Sequence, residues 1–189
     1  MNTFFAIELG EDAKKTVAAL SDEWKRRIGG RAALRWTAPA DYHLTLKFLG
    51  DVSNEKLPPL VETASLIASR TKPVGVRAAP AGIFSSYQRA RVLWAGALPE
   101  PPLTALALEL DRACARLGFP AETRSFRPHI TIARCEPQTI PLAPVGPLFE
   151  AFLANRFVLM QSTSREELQS EGGSRYNIVQ TFPFAAEAP

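Results

Sequence analysis

Two short segments constrain the fold of this chain more than any other feature: His43-Leu44-Thr45-Leu46 and His129-Ile130-Thr131-Ile132. Both alternate polar and aliphatic residues, the period-2 pattern of a strand with one buried and one open face. His43 and Thr45 therefore share a face, as do His129 and Thr131, with aliphatic side chains opposite. Those aliphatic faces need cover, and three amphipathic stretches can supply it. Residues 11–28 carry Ala13, Val17, Leu20, Trp24 and Ile28 at helical spacing and stop at Gly29-Gly30. Residues near 58–69 open on paired prolines and carry Leu60, Ala64, Ile67 and Ala68. Residues near 102–117 carry Leu103, Leu106, Leu110 and Leu117, stopped by Gly118.

Further strands are expected near 3–9, 33–37, 74–79, 91–97, 156–162 and 176–182. The segment from Gly82 to Arg89 reads as a strand end and a loop. A short helix is expected near 148–153, after a loop punctuated by Pro137, Pro141, Pro144 and Pro147. The order helix, connector, strand opening on His-x-Thr occurs twice. Two similar halves, each a sheet backed by helices, would bring the two polar faces together across a cleft. This is an α+β arrangement in one unit over residues 1–189.

Composition narrows the class. Hydrophobic residues make up 46% and charged residues 22%, as in globular proteins rather than disordered chains. A net charge of +3 permits an anionic partner without requiring one. No basic leader with an apolar run opens the chain, and no stretch approaches the roughly 20 apolar residues of a membrane span. Two cysteines make no disulfide framework; Cys114 falls on an apolar helical stripe and reads as core. A cytoplasmic monomer without membrane association is expected.

His43 and His129 are the only histidines in 189 residues. With twelve threonines in the chain, a threonine two places after both by chance is about a one-in-250 event. One His on a strand is usually structural; a matched pair calls for chemistry. In-line displacement at phosphorus needs a base for the nucleophile and an acid for the leaving oxygen. Histidine serves both near neutral pH. Threonine hydroxyls on the same face can donate hydrogen bonds to the charge that builds on the non-bridging oxygens. Zinc would need three or four ligands, and only Cys135 lies near either histidine in sequence. There is no H-E-x-x-H, Walker A loop, G-x-G-x-x-G or C-x-x-C. No metal and no cofactor are expected.

These residues resemble the 2H phosphoesterase superfamily, and within it the bacterial and archaeal RNA 2′,3′-cyclic phosphodiesterases, long named 2′-5′ RNA ligases. The similarity rests on Leu34-Arg35-Trp36 before His43-Leu44-Thr45-Leu46-Lys47-Phe48-Leu49-Gly50, on Arg91-Val92-Leu93-Trp94-Ala95-Gly96, and on Phe126-Arg127-Pro128-His129-Ile130-Thr131-Ile132-Ala133-Arg134. The tail from Ser162 to Tyr176 is similar too, although its Ser162-Thr163-Ser164-Arg165 and Gly172-Gly173 depart from the family's tidier Ser-x-Leu spacing. The resemblance implies a bilobed fold with two pseudo-symmetric antiparallel sheets, outer helices and a central cleft. It implies hydrolysis of an RNA terminal 2′,3′-cyclic phosphate to a 2′-phosphomonoester, with weak ATP-independent 2′-5′ joining. His43 would then be the proton donor, His129 the proton acceptor, and Thr45 and Thr131 phosphate ligands.

Around this pair, Lys47 shares strand parity with His43 and is a phosphate candidate, as is Arg127, two places before His129. Arg134 belongs to the third block, but an unbroken strand would point it away from the cleft; a bulge would bring it back. Tyr176, Trp36 and Phe84 are candidate base-stacking groups, with core packing the competing role for Trp36 and Trp94. Two alternatives remain: a phosphoesterase for small nucleoside or ADP-ribose cyclic phosphates, and a non-catalytic RNA- or nucleotide-binding module.

Overall fold

The computed structural model describes residues 1–29, 33–86, 89–140, 145–147, 149–163 and 174–186. Its elements run β1 (Thr3–Glu8), α1 (Glu11–Ile28), β2 (Leu34–Trp36), a 3-10 turn (Pro39–Asp41), β3 (His43–Gly50), α2 (Leu57–Ala68), β4 (Val74–Val76), β5 (Ala78–Ser86), β6 (Arg89–Ala97), α3 (Pro101–Arg116), β7 (His129–Gln138), β8 (Val145–Pro147), β9 (Phe152–Ala154), β10 (Arg156–Ser162) and β11 (Tyr176–Pro183).

Each helix forms where its apolar spacing demands. In α1 the buried residues are Ala13, Val17, Leu20, Ser21, Trp24 and Ile28. Glu11 and Asp12 lie in its first turn and Lys25, Arg26 and Arg27 in its last, signs that suit the helix dipole. Gly29, at φ 57°, ends it. Prolines open α2 and α3, where no intrahelical N–H is lost. The buried stripes of all three join the aliphatic side chains of the sheet, Leu44, Leu46, Ile130 and Ile132 among them, in one hydrophobic core. Among the described residues, no helix is long and apolar enough to cross a membrane.

The strands follow the order β11-β10-β1-β3-β7-β6-β5-β8, with β2 also on β7. Every pairing is antiparallel. The order is that of two four-stranded arrays meeting at β3 and β7, and those central strands share a single register pair, Leu44 with Ile130. The α+β fold with two antiparallel halves and outer helices is therefore present, with the two His-x-Thr strands at its centre.

Two bulges decide what faces the cleft. On β3, Ala6 pairs with Thr45 but Phe5 pairs with Lys47, so Leu46 is the extra residue. On β7, Trp94 pairs with Thr131 but Leu93 pairs with Ala133, so Ile132 is extra. Each bulge comes directly after a His-x-Thr and reverses the strand's parity beyond it. Lys47 and Ala133 turn inward and are buried, while Phe48 and Arg134 turn outward and are exposed.

Other expectations are corrected. No helix forms between residues 149 and 154: β9 lies there and pairs with β4, which gives the edge of that short strand a partner and buries Ala154. The stretch from Gly82 is not a loop but the second half of β5, running to Ser86. Pro141, Pro144, Ser164, Arg165 and the Gly172-Gly173 pair lie outside the described residues.

Candidate active site

The single register pair between β3 and β7 fixes the layout. With Leu44 opposite Ile130 in antiparallel strands, His43 falls beside Thr131 and Thr45 beside His129. The two imidazoles stand on a diagonal, each next to the other motif's threonine. Neither threonine hydroxyl has a hydrogen-bond partner among the described residues, which leaves both available to a ligand.

Both rings are oriented in the same way. His43 Nδ1 lies 2.8 Å from the Asp41 carbonyl oxygen, and His129 Nδ1 lies 2.7 Å from the Arg127 carbonyl oxygen. A carbonyl can only accept, so each Nδ1 carries the proton and donates it. Each Nε2 is then left to accept a proton when the ring is neutral and to donate one when it is charged. Burial pushes both histidines below their ordinary value, more strongly than these hydrogen bonds raise them. Their charged neighbours differ. Asp41 favours a charged His43, whereas Arg134 and His129 oppose it. At His129 the guanidiniums of Arg134 and Arg127 oppose the charged ring.

Aromatic rings hold each imidazole. Phe4 stacks on His43 at 4.8 Å, and Tyr176 meets the same ring edge-on at 5.0 Å. On the other side Phe84 meets His129 edge-on at 4.8 Å and Trp94 lies at 6.4 Å. Trp94 can lie there because Gly82 is beneath it; a Cβ on Gly82 would sit 2.6 Å from the indole. Trp36 instead packs against the core, with the Lys25 ammonium 5.4 Å from its ring.

Two cavities open beside His43. The larger, about 450 Å³, is lined by Phe4, Thr45, Phe48, Arg134, Arg175 and Tyr176, with Ser162 and Thr163 also among its walls. The smaller, about 140 Å³, is lined by Arg35, Thr37, Thr131, Arg134 and Arg175. His129 lines neither and stands across from them beside Thr45.

The structure thus brings His43, Thr45, Thr131, Arg134 and Tyr176 together. It places the Arg127 guanidinium 5.0 Å over the Phe84 ring, at the rim on the His129 side. Lys47 is a correction. Its ammonium points away from the cleft and lies 2.6 Å from both Asp111 Oδ1 and the Pro120 carbonyl oxygen. The bulge at Leu46 is the reason, and it puts Phe48 where Lys47 was expected. Sequence reasoning also missed Arg35, Thr37 and Arg175 as cleft residues. The tripeptide Arg35-Trp36-Thr37 carried a signal, since Arg35 and Thr37 share strand parity. Arg175 carried none: its place is set by Asp41, whose Oδ1 accepts hydrogen bonds from Ser174 Oγ at 2.6 Å and Arg175 N at 2.9 Å.

Comparison with known proteins gives this geometry its relatives. The family model described as LigT like phosphoesterase matches residues 11–94 and 97–167. The RNA 2′,3′-cyclic phosphodiesterase of Geobacillus stearothermophilus is 35% identical over 184 residues, which cover 95% of this chain but 56% of that protein. A solved structure from Thermus thermophilus superposes with a TM-score of 0.83 at 25% identity over the whole of both chains. Escherichia coli LigT complexed with 3′-AMP superposes with a TM-score of 0.77 at 28% identity over 98% of each chain. With the family model covering both His-x-Thr strands and most of the chain besides, the protein belongs to the LigT-like phosphoesterase family.

Proposed function

We propose that this protein hydrolyses the 2′,3′-cyclic phosphate at the end of an RNA to a 2′-phosphomonoester, by acid–base catalysis between two histidines and without a metal. The observation that carries the reading is the pair of Nδ1–H groups locked on backbone carbonyls, which leaves two Nε2 atoms on the open face of adjoining strands. A relative named as an RNA 2′,3′-cyclic phosphodiesterase and a structural neighbour solved with 3′-AMP support the substrate class.

In this scheme neutral His129 takes a proton from water through Nε2. The water oxygen bonds to phosphorus, the bond from phosphorus to the ribose 3′ oxygen breaks, and that oxygen takes the Nε2 proton of charged His43. Thr45 and Thr131 donate hydrogen bonds to the non-bridging oxygens, and Arg134 balances their charge. The Asp41 carboxylate supports the acid role of His43, because it favours that ring's charged form, while Arg134 opposes a charge on both rings. Replacing water by the 5′ hydroxyl of a second RNA gives a 2′-5′ linkage through the same steps, with no nucleotide consumed.

The test is incubation with an oligoribonucleotide ending in 2′,3′-cyclic phosphate. Phosphorus NMR and phosphatase sensitivity then place the product's phosphate. A 2′-phosphate end is expected; no turnover, or a 3′-phosphate end, refutes the reading.

A further inference from the structure

The smaller cavity has an unusual charge inventory. Arg35 on β2 and Arg134 on β7 are register partners, two like charges side by side on one sheet. Arg175, just before the edge strand β11, lines the same space, and Thr37 adds a hydroxyl. Among the described residues, no carboxylate forms an ion pair with any of the three guanidiniums. Asp41 turns its Oδ1 to Ser174 Oγ and to the Arg175 backbone N–H rather than to a guanidinium. Opposed like charges on neighbouring strands are unfavourable, and here the described fold supplies nothing to offset them. An anion would.

The cavity also has a definite position relative to the reaction centre. His43 and Thr131, register neighbours across β3 and β7, line it; Arg134, Arg175 and Tyr176 belong to both cavities, while Arg35 and Thr37 belong to this one. A second anion here would therefore sit next to the reacting phosphate rather than along a distant groove.

We propose that the Arg35–Arg134–Arg175 cavity is a second phosphate subsite, which receives the phosphate on the 5′ oxygen of the nucleotide whose cyclic phosphate is cleaved. The inference rests on the cyclic phosphodiesterase reading above and narrows its substrate. In an RNA end this phosphate is the last internucleotide linkage; in a 5′-phosphorylated mononucleotide it is a monoester. A nucleoside 2′,3′-cyclic phosphate with a free 5′ hydroxyl lacks it and leaves the arginines unpaired. The chain is then built for RNA ends rather than for bare cyclic mononucleotides.

Three substrates test this: adenosine 2′,3′-cyclic phosphate, the same compound with a 5′ phosphate, and the dinucleotide ApA ending in a cyclic phosphate. The 5′-phosphorylated compound and the dinucleotide should both show kcat/KM about 10–100-fold above the first, the span expected for charge-assisted hydrogen bonds to one phosphate. In Arg35→Gln and Arg175→Gln, measured separately, that ratio should fall to within about threefold of unity. The ratio is the readout, so a general loss of activity, which lowers all three rates alike, does not mimic the effect. Equal rates for the three substrates, a gain confined to the dinucleotide, or a ratio that survives in both variants overturns the subsite while leaving the phosphodiesterase reading intact. Failure of all three to turn over overturns both.

Discussion

Leu44 and Ile130 face each other as the register pair between β3 and β7, and this pairing places each catalytic-motif histidine beside the other motif's threonine. Both side chains are fully buried in the core beneath the cleft. The paired hydrophobic residues thus act as the joint on which His43, Thr45, His129 and Thr131 are mounted. A rigid joint of this kind is what two groups acting on opposite sides of one phosphorus require.

The histidines should fail as a unit. His43→Ala and His129→Ala are each expected to lower kcat/KM for a cyclic phosphate end by about 10²–10⁴-fold. The double variant should be little worse than either single, because a proton relay with one member missing is already broken. Thr45→Val and Thr131→Val each remove one hydrogen bond to a charged oxygen and should cost about 10–100-fold. Steady-state kinetics on the four single variants and the double decide it; additive losses from the two histidines would refute the paired mechanism.

Chelation should leave the rate unchanged. Among the described residues, no group of three or more His, Cys, Asp or Glu side chains is placed to hold a metal ion. Dialysis against a strong chelator, followed by assay with and without added zinc or magnesium, measures this directly. A loss that either metal restores would show that the acid–base scheme is incomplete.

The pH dependence follows from burial. Histidines with unperturbed values would give kcat/KM limbs bracketing roughly pH 6–8. Both imidazoles are lowered from 6.5 by desolvation in the free protein. The form with one ring charged and one neutral is most populated midway between two lowered values, so kcat/KM should peak below pH 6.5. A bound phosphate anion favours the charged ring and raises its pKa. The kcat profile, which reports the complex, should therefore peak at higher pH than kcat/KM. Coincident profiles would contradict this.

Lys47 should matter for stability, not for phosphate binding. Its side chain is 5% exposed and that of Asp111 16%, and Asp111 also accepts the Glu122 N–H at 2.9 Å. Lys47→Ala leaves the carboxylate partly buried without its counter-ion and should cost about 3 kcal/mol in urea unfolding at pH 7. Burial works against the ionised form of Asp111, but its hydrogen bonds from Lys47 and Glu122 and the Lys47 charge prevail, so its pKa is lowered from 3.8. A depressed carboxylate contributes stability above its unfolded pKa, and that contribution is lost as pH falls through the lower folded value. Unfolding midpoints should drop between pH 5 and pH 2 more steeply in the wild type than in Asp111→Asn.

What could be read from the sequence divides along physical lines. The helices were legible because Val17, Leu20 and Trp24, or Leu103, Leu106 and Leu110, repeat at a local period that packing only reinforces. The histidine pair was legible because strand parity is local for three residues. Beyond Thr45 and Thr131 it was not, since a bulge depends on how the neighbouring strand pairs, and nothing in Leu46 or Ile132 marks it. That one device misplaced Lys47 and hid Phe48, and it brings Arg134 into the cleft despite its parity. The segment 149–154 went astray for a related reason: Phe152 and Ala154 become strand because β4 offers them an edge, a tertiary effect that overrides local preference. Arg175 could not be foreseen, because its position depends on Asp41, 134 residues away in the chain.

Asp41→Asn tests which histidine is the acid. The substitution removes a charge while an amide oxygen can still accept from Ser174 Oγ and Arg175 N, so the segment carrying Tyr176 keeps its anchor. The Asp41 carboxylate favours the charged form of His43, so its neutralisation must lower the His43 pKa further. If His43 is the acid, fewer molecules carry its proton at any pH above its pKa. The variant then loses activity at pH 7.5 and loses little at pH 5, where protonation of the base limits the rate. If His43 were the base, a lower pKa would keep it neutral in acid, and the variant would gain activity at pH 5 relative to the wild type and change little at pH 7.5. The two assignments thus predict effects at opposite ends of one kcat/KM profile. We expect the alkaline loss; an acidic gain would reverse the roles of His43 and His129 and turn the ribose around in the cleft.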